Sequence, residues 1–154
     1  MTNVDFLRRL FSIVKKCVVL KDKYTKDKDL LIDYICIFSH SSNEYNEYIK
    51  CASFLGTIVD ETKTGPLFKF TNTFLTKAGQ PNVFKVRTPD SKKPQLGDVD
   101  FNTDYPRFKQ KYLYKKCFSL IQREKFEMME LKDEAFDVLV YFSSIPPSKL
   151  IGVS

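Results

Sequence analysis

The chain has 154 residues, a size that one domain fills. Apolar residues make up 43% of it and charged residues 29%, a balance that excludes disordered and fibrous chains. The net charge is +6, no apolar run approaches the ~20 residues of a membrane span, and Asp5, Arg8 and Arg9 interrupt the N-terminus where a secretion signal would be apolar, so a soluble cytoplasmic domain is expected.

In chain order, Leu7, Leu10, Phe11, Val14 and Val18 recur at helical spacing after a cap at Thr2 or Asn3, which predicts a helix over 3–20. Residues 21–29 alternate charge without an apolar face and read as a solvated linker. The run 30–38 is rich in Ile, Leu, Tyr and Phe and too short for a typical helix, so it reads as a buried strand. Ser41 and Glu44 form a capping-box signal. The helix they open carries Tyr45, Tyr48, Ile49, Ala52 and Leu55, and Gly56 is expected to stop it in the left-handed conformation.

Strands follow over 57–61 and 67–71 around a Lys-Thr-Gly-Pro turn, then over 83–87. After a polar loop, residues 98–102 alternate as a strand, and Asp104 can cap a helix bearing Tyr105, Phe108 and Tyr112, with Pro106 in its first turn. Three more strands are predicted over 117–122, 126–131 and 136–142. The order strand, helix, three strands thus occurs twice, which predicts an α+β fold of two βαβββ modules around one mixed sheet, preceded by an N-terminal helix. The chain divides into a helix and linker (1–29), the two-module domain (30–143) and a tail (144–154).

Cys17, Cys36, Cys51 and Cys117 lie in apolar stretches and read as reduced core thiols. No CxxC spacing occurs and His40 is the one histidine, so a zinc site is disfavoured.

The element order and three local matches resemble the vicinal oxygen chelate superfamily, which includes glyoxalase-like and extradiol-dioxygenase-like proteins. The residues that carry the resemblance are Ile32-Asp33-Tyr34-Ile35-Cys36-Ile37 before a helix ending Phe54-Leu55-Gly56, then Gly97-Asp98-Val99-Asp100-Phe101, and Phe126-Glu127-Met128-Met129-Glu130-Leu131. The resemblance implies a glyoxalase-like cup in which His or Glu side chains hold a metal that polarises substrate oxygens. This chain departs from that pattern. Tyr34 stands where the first histidine would be, Asp98 is a substitute at the second position, and Glu130 lies one strand before the usual final carboxylate. Lys85 and Arg87 on the fourth strand would repel a cation, so no metal or other cofactor is expected.

The segment from Lys85 to Phe101 concentrates polar residues and turn chemistry. Lys85, Arg87, Asp98 and Asp100 are the candidate ligand-binding residues: Arg87 can grip a carboxylate or phosphate with two hydrogen bonds while an aspartate orients a hydroxyl or amine. The bland reading pairs Arg87 with Asp98 or Asp100 across adjacent strands. Glu127 and Glu130 are an odd number of residues apart and so face opposite sides of their strand. His40 and Glu130 are the candidate catalytic residues, the histidine because Ser39, Ser41 and Ser42 surround it, although a turn residue is the simpler reading.

The function expected is binding of a small, anionic molecule. One alternative is a divalent-metal-dependent lyase, isomerase or dioxygenase using Asp98, Asp100 and either Glu127 or Glu130. A second is a basic nucleic-acid-binding module using lysines at 92–93 or 109–116. The tail, with Pro146-Pro147 and Leu150-Ile151, reads as an extended arm that packs on a partner or a second copy, giving a homodimer, or as a disordered end.

Overall fold

A computed structural model describes residues 1–153. Helix α1 runs Asn3–Tyr24, capped by Thr2, whose side chain accepts from the Asp5 amide while the Asp5 carboxylate accepts from the Thr2 amide. This reciprocal box satisfies two of the amides that a helix start leaves without partners.

The first module is strand β1 (Ile32–Phe38), helix α2 (Ser42–Leu55), and strands β2 (Gly56–Thr62), β3 (Gly65–Phe70) and β4 (Val83–Arg87). The second is β5 (Gly97–Phe101), α3 (Tyr105–Tyr112), β6 (Phe118–Gln122), β7 (Glu127–Leu131) and β8 (Val138–Ser143), followed by a short helix α4 (Pro147–Leu150). The fold is therefore α+β, with two βαβββ modules as expected.

All eight strands form one mixed sheet in the order β2-β3-β4-β1-β5-β8-β7-β6. Each module pairs its first strand in parallel with its last, β1 with β4 and β5 with β8, and the modules join by an antiparallel β1–β5 pair. Gly97 makes that joint possible. A Cβ there would lie 2.2 Å from the Cys36 carbonyl oxygen, so any side chain would force the two central strands apart.

Strand alternation gives the sheet two unlike faces. On one, Ile35, Ile37, Val99, Phe101, Val140 and Phe142 meet Phe6, Leu10, Ile13, Val14, Cys17 and Leu20 of α1 in a single core. Aromatic rings stack there, with centroids 4.9 Å apart for Phe68–Phe84 and 4.2 Å for Phe108–Phe142. The other face carries a smaller apolar cluster, Cys36, Phe38, Leu139 and Tyr141, beside the polar side chains of Lys85, Asp98 and Asp100, and holds a cavity.

Several local expectations are corrected. Helix α1 continues to Tyr24, because Lys21 is 1% exposed, not solvated. Its ammonium donates to Asp22 Oδ1 and the Asp27 carbonyl, each at 2.7 Å, and lies 5.4 Å from the Phe101 ring centroid. Leu10, Cys17 and Leu20 of this helix lie in the main core, and residues 25–31 connect it to the first strand.

Gly56 is extended (φ −164°), not left-handed. Glycine is required there because a Cβ would sit 2.3 Å from the Lys69 carbonyl oxygen. Asp104 makes no side-chain capping bond to α3. Glu44 accepts from the His40 amide at 2.9 Å, not from that of Ser41, while the Ser41 hydroxyl accepts from the Glu44 amide at 3.1 Å. Among the cysteines, Cys17, Cys36 and Cys51 are buried free thiols, and Cys117 is half-buried with a left-handed φ of 73°. No helix among the described residues is long and apolar enough to cross a membrane.

Candidate functional site

The concave face of the sheet is a cup of about 720 Å³, within the range of small-molecule sites. Strand register sets its floor in two rows. One runs Lys85–Cys36–Asp98–Leu139 across β4, β1, β5 and β8, and the other runs Tyr34–Asp100–Tyr141–Glu130 across β1, β5, β8 and β7. All four candidate ligand-binding residues, Lys85, Arg87, Asp98 and Asp100, line this one cavity.

Asp98 is 8% exposed and Asp100 2%. Ser143 Oγ donates to Asp100 Oδ2, whereas Asp98 Oδ1 and Asp100 Oδ1 are buried without a partner, as is Arg87 Nε. Burial pushes the Asp98 carboxyl up to about 7, against the pull of Lys85, Lys93 and Arg87. Burial also raises Asp100 well above the carboxylate range, with Asp33 and Asp98 adding to the rise and the Ser143 hydrogen bond opposing it.

Lys85 donates to Thr64 Oγ1, and burial lowers its ammonium's affinity for the proton despite nearby Asp98. Cys36 is raised to about 12, first by burial and then by Asp98. The Tyr34 and Tyr141 hydroxyls are raised too, burial again leading; Tyr141 donates to Glu130 Oε2 at 2.7 Å.

Arg87 does not pair with Asp98 or Asp100. Strand β1 separates β4 from β5, and the guanidinium instead meets Asp90 Oδ2 at 3.2 Å, 5.7 Å from the Phe38 ring centroid. One side of Arg87 is held and Nε is left for another acceptor.

His40 lies outside the cup. It lines a separate hollow of about 270 Å³ with Arg9, Glu44 and Tyr48, its Nδ1 3.3 Å from Glu44 Oε1 and its Nε2 2.9 Å from the Gln95 carbonyl oxygen. Ser39 Oγ donates elsewhere, to the Arg87 carbonyl at 2.6 Å, so no hydroxyl–histidine pair forms.

Glu127 and Glu130 take opposite faces, as their spacing requires. Glu127 meets Lys109 Nζ at 2.6 Å and accepts from Tyr105 Oη at 2.7 Å on the helix side. That removes Glu127 from any carboxylate set with Asp98 and Asp100. Among the described residues, no three His, Cys, Asp or Glu side chains gather as a metal site would need. Of the α3 cations proposed for nucleic acid, Lys109 is held by Glu127, and Lys111 lies 3.8 Å from Asp27.

Sequence reasoning missed the tail. Residues 147–150 form α4, and Pro147, Leu150 and Ile151 close one end of the cup. Asp33 holds them: Oδ2 accepts from the Ser148 amide at 3.0 Å, and Oδ1 from Ser148 Oγ at 2.6 Å and from Asn82 Nδ2 at 2.7 Å. A register shift between Ile32 and Tyr34 marks the position; it lets Ile32 and Ile35, three residues apart, share one core. A lone aspartate inside an apolar strand was the available signal.

No family model and no curated protein matches the chain. A solved structure described as "Structural Genomics, Protein EC4020" superposes with a TM-score of 0.74, covering 96% of this chain and 90% of that one at 12% identity. At that identity the likeness extends to the fold alone.

Proposed function

We propose that the protein binds a small anionic molecule in the concave cup, Arg87 and Lys85 holding the anionic group while Asp98 and Asp100 hydrogen-bond a neighbouring hydroxyl or amine. The observation that carries this reading is that three of the five buried side-chain atoms without partners among the described residues, Arg87 Nε, Asp98 Oδ1 and Asp100 Oδ1, sit on residues around one cavity. A buried polar atom left unpaired costs about 1–3 kcal/mol, and three on one cavity wall are accounted for if a ligand supplies the missing partners. The mirrored βαβββ modules, joined through β1 and β5, support a glyoxalase-like relationship for this cup.

Calorimetric titration with small carboxylates and phosphates tests the reading, with a single-stranded oligonucleotide as the competing probe. The expected result is a small anion whose affinity falls at least about ten-fold in Arg87→Ala and only modestly between about 0.1 and 0.3 M salt. Binding of the oligonucleotide with a steep salt dependence and no small anion bound would transfer the function to nucleic acid. Small-anion binding that is indifferent to Arg87 would remove the cup from consideration.

A further inference from the structure

Strand β1 serves as a ruler along the cup. At its C-terminal end Phe38 pairs with Arg87, and Lys85 and Lys93 line the same end of the wall formed by β4 and the loop after it. At its N-terminal end Asp33 holds Ser148 of α4, beneath which Pro147, Leu150 and Ile151 face the cavity. The rise of about 3.3 Å per residue puts Asp33 about 10 Å from Cys36, the partner of Lys85, and about 17 Å from Phe38, the partner of Arg87, a span that the long Lys85 and Arg87 side chains shorten. Strand β7 adds to the second end, since Met128 pairs with Ser143, two residues beyond the Tyr141 that sits opposite Asp100. Phe126 lines the cup beside it. Arg123 and Lys125, on the turn between β6 and β7, also line the cavity near that end; both are exposed, so water solvates their charge.

We infer that the cup takes an amphipathic carboxylate, its anionic group at Arg87 and Lys85, a hydroxyl or amine at Asp98 and Asp100, and an aryl or short acyl group under α4; this rests on the reading of the cup as an anion site. Lys85, Arg87 and Lys93 supply three positive charges at the polar end, against Asp90 on Arg87 and Asp60 and Asp98 on the cavity wall, a balance that favours a singly charged group over a multiply charged one. The apolar end separates this ligand class from sugar phosphates and polycarboxylates, which would leave Met128, Leu150 and Ile151 facing polar groups. Each buried methylene strengthens binding by about four-fold, so an apolar tail under α4 dominates selectivity.

The experiment titrates the full chain with phenylbutyrate, acetate and inorganic phosphate. Phenylbutyrate is expected to bind at least about ten-fold more tightly than either polar anion. The double variant Leu150→Asn, Ile151→Asn is expected to erase that preference. Leu150 is 39% exposed, so the variant should fold, and an unchanged melting temperature verifies this. In the unaltered protein, the methyl resonances of Met128 and Ile151 should move with phenylbutyrate and stay in place with phosphate. Equal affinity for all three probes, weakened in Arg87→Ala, overturns the amphipathic assignment and keeps the anion site. A preference that survives the double variant also overturns it. Absence of binding by any probe, or binding indifferent to Arg87, overturns both.

Discussion

The two faces of the sheet are made by the same strands and solve opposite problems. The helix-covered face is apolar, with Phe142 packed against Phe101, Phe108 and Phe118. The concave face carries Asp98, Asp100, Lys85 and Arg87 at positions where further apolar residues would have stabilised the fold more, and several of their polar atoms lack partners. One face thus accounts for stability, and the other carries buried polar atoms without partners in the chain.

The comparison is tested hardest on the apolar face. Phe142→Ala should destabilise the protein by about 3–5 kcal/mol through lost burial and a residual cavity, measured by denaturant unfolding; a loss under about 1 kcal/mol would mean that the helix side is not the main core.

Asp98→Asn should act in the opposite sense. The folded carboxyl titrates at about 7 against an ordinary value of 3.8, so the folded state binds this proton more tightly. The contribution of Asp98 to native stability therefore falls as pH rises through the window from about 4 to 7 and is level above it. The variant should flatten that fall and gain about 1–3 kcal/mol at pH 8, within the ~4 kcal/mol that a three-unit shift allows. An unchanged pH profile would show that Asp98 is not held in an unfavourable environment.

The smallest effect is expected at the latch. Asp33→Ala removes the acceptor of Ser148 and Asn82 and should cost about 1 kcal/mol of global stability. Amide exchange over residues 147–153 should accelerate while that of β1 and β5 does not. Uniform acceleration would make Asp33 a residue of the core and not a holder of the cup's end wall.

Much of the fold was legible because each segment announced its period: Tyr105, Phe108 and Tyr112 at helical spacing are the buried face of α3, and the apolar runs became β1, β4 and β8. The candidate site was legible in part. Alternation placed Asp98 and Asp100 on one face and Lys85 and Arg87 on another strand, and the structure gathers all four. Arg87's partner was not legible, since adjacency of β4 and β5 was assumed and β1 lies between them. Nor was the exclusion of His40, which depends on a turn direction, or the burial of Lys21, whose partners come from the loop that follows it.

What the sequence determined by itself is therefore local: where each element lies, which residues share a face, and that two βαβββ units repeat. Tertiary structure alone decided the joining of the modules through β1 and β5, the separation of Glu127 from the aspartates, and the docking of α4 on Asp33. The physical reason is range. Periodicity and capping act over a few residues, whereas strand order, the isolation of a charge and the closing of a cup depend on contacts between residues as far apart as Asp33 and Ser148.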